Sequence, residues 1–173
     1  MVALSLGLLV LETGLSNYNR IEVHNQASRD GGRATEITMR YVREVQSIVY
    51  AGDSRLDIQA DWDDDGFSEA IRFIYTPAAA GGTYSIVRAS NSDVLDAEEA
   101  VQIAGYVRNT SGEPVFSYYE YDSGGALNEL TSPLGDRLAS DVIRLQLLLD
   151  VDPSDDVGVH SVDVDIYLRN DPS

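Results

Sequence analysis

At 173 residues and 18.9 kDa, with 43% hydrophobic residues, the chain has room for one ordinary domain with an appended helix and little space for two full domains. A net charge of −17 and a pI of about 4.2 argue against direct binding of nucleic acid or anionic lipid, because phosphate contact needs clustered cations. The absence of cysteine excludes disulfides and thiolate metal sites, and all twelve basic residues are arginine, whose planar fork suits bidentate pairing with carboxylates.

Val2 to Leu11 is apolar apart from Ser5 and Gly7, and the run stops at Glu12. A bilayer core needs about 20 apolar residues in a helix, so this stretch does not span one as it stands. It also lacks the basic start and small-residue cleavage site of a secretory signal. A segment cut short at its start, an amphipathic partner helix and a short buried helix all remain open readings. From Leu15 to Gln26 the chain turns polar but keeps Tyr18, Ile21 and Val23, so residues 1–27 read as one apolar-to-polar helix.

Ser28-Arg29-Asp30-Gly31-Gly32 is expected to break that helix, since two glycines cost it about 2 kcal/mol relative to alanine. Beyond the break, Ala34, Ile37, Tyr41, Val45 and Ile48 recur at three and four, which predicts an amphipathic helix within 28–52 that lays this stripe on a sheet. Residues 53–173 read as an antiparallel β-rich domain. Strands are expected at Arg55 to Ala60, Ala70 to Thr76, Thr83 to Ala89, Val115 to Tyr121, Val142 to Val151 and Val159 to Leu168. In the last of these, Val162, Val164, Ile166 and Leu168 share one face against Asp163, Asp165, Tyr167 and Arg169, the pattern of a sheet covered on one side. Asp96 to Val107 fits either a helical turn or an extended approach to the next strand, and is left as a connection.

The sharpest chemical feature is Asp61-Trp62-Asp63-Asp64-Asp65-Gly66-Phe67-Ser68-Glu69. Asp61, Asp63 and Asp65 stand at loop positions 1, 3 and 5, Gly66 permits the turn, Phe67 offers a carbonyl, and Glu69 stands at position 9, a hard-oxygen set that suits Ca2+. Arg72 occupies the place of the bidentate Glu of an EF-hand and strand follows, so an EF-hand proper is rejected. A calcium loop and a solvated acidic β-turn both fit. Asp150, Asp152, Asp155 and Asp156 match no standard loop spacing and read as a solvated hairpin tip. His24 and His160 sit in no catalytic motif, and among 29 acids paired carboxylates arise by chance, so no catalytic residues are assigned and the chain reads as a non-enzyme. Tyr118, Tyr119 and Tyr121 fit a stacking platform, or more simply a strand with aromatics on both faces.

The order of a long N-terminal helix, apolar then amphipathic, followed by a meandering antiparallel sheet resembles the type IV pilins and the minor pseudopilins of type II secretion. Met1 to Leu11 looks like the later part of a pilin membrane helix, N-terminally truncated relative to the family. The acidic loop from Asp61, with Ala70 to Tyr75, Tyr84 to Arg88, Val115 to Tyr121, Val142 to Leu149 and Asp165 to Asn170, is similar to the loop and strands of prepilin-like proteins. The resemblance implies an α+β fold, with the long helix packed on an antiparallel sheet. It implies a structural subunit that joins other pilin-like subunits in a type IV pilus-like or pseudopilus filament through its N-terminal helix. It further implies processing and methylation, inner-membrane anchoring before assembly, and a periplasmic or extracellular filament of the cell envelope. In such a filament, Ca2+ at the Asp61 loop, read from the loop's own residues, is expected to act as a stabiliser. The alternative is a calcium-dependent adhesion or ligand-binding module of the envelope.

Overall fold

The computed structural model describes residues 2–61, 65–79, 81–89, 100–110, 112–135, 137–138, 142–152 and 159–168, with side chains from residue 11 onward apart from 12, 137 and 138. Among the described residues one helix, α1 (Val2–Arg43), precedes ten strands: β1 (Val45–Ala51), β2 (Arg55–Ala60), β3 (Glu69–Thr76), β4 (Gly82–Arg88), β5 (Val101–Val107), β6 (Phe116–Tyr121), β7 (Leu127–Leu130), β8 (Arg137–Leu138), β9 (Arg144–Val151) and β10 (His160–Tyr167). They form one antiparallel sheet in the order β7-β6-β9-β5-β4-β3-β2-β1-β8, with β10 also paired to β9. β10 lies against β9 along its whole length, while β9's other edge is shared by β6 and, at Val151, β5.

The expected α+β, pilin-like arrangement is therefore corrected: the described residues are mostly β, with one helix and a sheet far larger than a small platform under a long helix. Four strands outside the expected ranges account for the difference, the two-residue β8 on the edge of β1 among them. Val45–Ala51, read as helix, is a strand because its β-branched and aromatic residues pair with β2 along their length, through two register shifts. Val101–Val107, left as a connection, pairs with β4, and Leu127–Leu130 closes a hairpin on β6.

The expected break at Gly31-Gly32 also does not occur, and α1 runs through both glycines for 42 residues, about 63 Å at 1.5 Å per residue. Tertiary packing overrides propensity here. A Cβ on Gly31 would lie 2.8 Å from Val162 Cγ2, so glycine is what lets the helix seat on β10. Ala27, Gly31, Ala34, Thr35, Thr38, Tyr41 and Val42 form the buried stripe of the second half. The hydroxyls of Thr35 and Thr38 donate to the carbonyls of Gly31 and Ala34 at 2.9 and 2.8 Å. Thr38 also meets the hydroxyl of fully buried Tyr84 at 2.8 Å, and burial pushes that phenol's pKa up.

The core lies between this stripe and the inner sheet face. Tyr41, Phe73, Tyr84 and Phe116 follow one another at ring-centre spacings of 6.3, 6.2 and 6.0 Å, linking the helix's last turn to the middle of the sheet. Leu145, Leu147, Leu149 and Val151 supply every inward position of β9.

Candidate assembly surface

From Leu11 to Gln26 the described side chains of α1 stand clear of the body. Every one of them is exposed except half-buried Val23, and among the described residues burial begins at Ala27. Leu11, Leu15, Tyr18 and Ile21 are 64, 61, 65 and 62% exposed, at spacings of four and three that place them on one side of the helix. Together they show water about 450 Å² of surface, the size of the largest apolar patch on a typical monomer.

The direction of this patch follows from helix phase. At about 100° per residue, Leu11, Leu15 and Tyr18 point within about 60° of one another, while Ala27, Gly31, Ala34 and Thr38 centre on the opposite side. The free apolar stripe therefore faces away from the chain's own sheet, which extending the helix–sheet contact does not cover. Charge is segregated too. α1 holds five of the twelve arginines and four of the 29 carboxylates, so it carries +1 and the remainder −18. Arg20, Arg29, Arg33, Arg40 and Arg43 are all exposed. Among the described residues no helix is long and apolar enough to cross a membrane.

In the Asp61 loop, the two carboxylate oxygens of Asp61 accept the backbone N–H groups of Asp65 and Gly66 at 3.1 and 2.9 Å, and Asp65 accepts that of Phe67 at 2.9 Å. Gly66 takes a left-handed φ of 89°, which a side chain would resist. Phe67 is 73% exposed, and the Ser68 hydroxyl donates to the Gln46 side chain on β1. Glu69 is buried as the first residue of β3, on the face of Ile71 and Phe73. Asp63 lies outside the described residues. Asp61 and Asp65 are thus brought to one turn whose backbone they hold, their carboxylates are of the hard-oxygen type that suits a hard cation, and Glu69 belongs to the sheet. Among the described residues no three metal-type side chains converge.

Asp150 accepts the Ser161 hydroxyl at 2.6 Å, and buried Asp152 pairs with Arg108 at 3.3 Å, so both serve the sheet, while Asp155 and Asp156 lie outside the described residues. The tyrosines divide between faces. Tyr118 is buried and donates to the Gly52 carbonyl at 3.1 Å, Tyr119 donates to Gln146 at 2.8 Å beneath the Arg144 guanidinium, and Tyr121 is exposed. His24 and His160, unrelated in sequence, meet with ring centres 5.7 Å apart.

Sequence reasoning missed Asp57. Arg72, its cross-strand partner, grips it through two bonds of 2.8 and 2.9 Å, and Arg55 joins from two residues away. Burial alone pushes this carboxyl's pKa up, but hydrogen bonds from Arg55 and Arg72 outweigh it and hold the pKa below the usual carboxylate value. The alternation Arg55-Leu56-Asp57 was a readable signal, but the partner across the ladder was not. No protein-family model matches the chain, and no curated protein matches it either.

Proposed function

We propose that this chain is a structural, non-catalytic subunit of a pilus-like filament, of the type IV pilin or pseudopilin kind, that joins its neighbours through the N-terminal helix. In this reading the helix is held at the inner membrane before assembly, and the acidic sheet body is displayed from the cell envelope. The observation that carries it is the outward-facing stripe of Leu11, Leu15, Tyr18 and Ile21 on a helix half free of its own body. The reading rests on the helix and not on the sheet, whose size departs from the pilin pattern.

The stripe is large enough to drive self-association. Burying about 450 Å² of apolar surface at about 25 cal/mol per Å² yields about 11 kcal/mol per copy as a gross upper figure. Two copies that cover each other's stripe gain about twice that, which exceeds an association cost of about 4–15 kcal/mol.

Sedimentation and light scattering of the full chain test this against a Leu11→Ser, Leu15→Ser, Tyr18→Ser variant. Concentration-dependent assembly by the wild type, lost in the variant with circular dichroism unchanged, is the expected result. A wild type that stays monomeric in buffer and in detergent, or a variant that assembles equally, overturns it. The second reading, a calcium-dependent adhesion or ligand-binding module, draws on the folded Asp61 turn. It requires ligand retention that survives the stripe substitutions and fails on chelation.

A further inference from the structure

The chain has two histidines, 136 positions apart, and the fold sets them face to edge where the free half of α1 leaves the sheet. His160 opens β10 and is fixed by pairing with Val151. His24 lies one turn before buried Ala27, and its helix phase points it to the sheet side. Gly31 brings the two backbones together, since a Cβ there would stand 2.8 Å from Val162 and 3.8 Å from His160 Cδ2.

We propose that His24 and His160 form a two-imidazole site for a late divalent transition metal, Zn2+, Cu2+ or Ni2+, which pins the root of the free helix to β10. With metal–nitrogen bonds of about 2.0–2.1 Å, two imidazoles sharing one ion have ring centres about 5.2 Å apart at a tetrahedral angle and about 6.4 Å apart when collinear. The observed 5.7 Å falls between these limits. The rings stand at 89°, and His24 is exposed, so rotation about its Cβ–Cγ bond turns a nitrogen toward the shared position.

Ligand chemistry selects the ion class: imidazole suits Zn2+, Cu2+ and Ni2+, whereas the chain's carboxylates suit calcium and magnesium. The neighbouring charges have other partners or positions. Asp152 holds Arg108, Asp150 holds Ser161, and Arg20 lies one helical turn before His24. Among the described residues no third metal-type side chain joins the pair, so water completes the coordination. The −18 charge outside α1 concentrates cations nearby. The site stands independently of the filament reading.

The test is copper titration of the full chain in excess magnesium, which occupies exposed carboxylates, followed by electron paramagnetic resonance. One equivalent of Cu2+ should show two coordinated nitrogens, and His24→Gln or His160→Gln should each leave one, with affinity at least about tenfold weaker because the chelate is lost. One equivalent of Zn2+ should raise the wild-type Tm and leave either variant unmoved. A single-nitrogen wild-type spectrum, or a two-nitrogen spectrum unchanged by His24→Gln at an exposed position, overturns the site.

Discussion

Replacing Gly31 by alanine adds one methyl group, and two effects of opposite sign follow. Alanine favours a helix interior by about 1 kcal/mol over glycine. Against this, the new Cβ would stand 2.8 Å from Val162 Cγ2, closer than carbon atoms pack, and overpacking of this kind costs about 1–3 kcal/mol. Val162 is β-branched and sits in the β10 ladder, so it yields little. Gly31→Ala should therefore be neutral or destabilising by up to about 2 kcal/mol. Gly32 supplies the control, because nothing lies within 4 Å of its added Cβ. Gly32→Ala should stabilise by about 1 kcal/mol, or about 2–4 °C in Tm for a chain of this size. The difference between adjacent positions, about 1–3 kcal/mol, isolates the helix–sheet contact from propensity, and Val162→Ala should restore the Gly31→Ala variant. Urea denaturation followed by circular dichroism measures all four proteins. If Gly31→Ala stabilises as much as Gly32→Ala, α1 is not seated on β10 as described.

Asp57→Asn leaves two guanidiniums without their carboxylate and should cost about 2–4 kcal/mol at neutral pH, less than a fully buried pair because Arg55 is partly exposed. Since Asp57's pKa is lowered by folding, its contribution is complete above the ordinary carboxylate value of about 3.9 and fades as pH falls through the folded-state value. The penalty of Asp57→Asn should thus shrink below about pH 4, and an equal penalty at pH 3 and pH 7 would count against the ion network. Asp61→Ala removes the acceptor of two backbone N–H groups and should cost about 1–2 kcal/mol in chelator. Millimolar calcium should then raise the Tm of the wild type and not that of Asp61→Ala, and equal shifts in both would remove calcium from this loop. Tyr84→Phe should cost about 1 kcal/mol, because Thr38 keeps its bond to the Ala34 carbonyl, and a loss above about 3 kcal/mol would mean a wider buried network.

The strands legible in the sequence were short β-like runs bounded by turn residues, several of them alternating: β2, β3, β4, β6, β9 and β10 all fall within two residues of their expected ranges. β1 was hidden because Tyr41, Val45 and Ile48 continue a helical spacing across the point where the helix ends. β5 was obscured by the acidic, alanine-containing run before it and by a register shift against β4, beside which Tyr106 adopts a left-handed φ of 55°. The glycine pair misled for a physical reason. Its propensity cost is real, but what decides the outcome is Val162, 131 positions away. The apolar residues of the free helix could be read from the sequence. Their orientation opposite the buried stripe could not, because it requires one helix running in phase through Gly31-Gly32. Likewise, the His24–His160 approach and the grip of Arg72 on Asp57 depend on register between distant strands, for which no local pattern exists.

Single-cysteine cross-linking tests the outward-facing assembly stripe most directly, since the chain has no cysteine of its own. Leu15→Cys places a thiol on the stripe, and Ser16→Cys places one about 100° around the same exposed helix. Under mild oxidation at assembling concentration, disulfide-linked pairs from Leu15→Cys and few or none from Ser16→Cys are expected. Equal cross-linking at both positions, or none at either, would contradict the assignment of this face to contacts between copies.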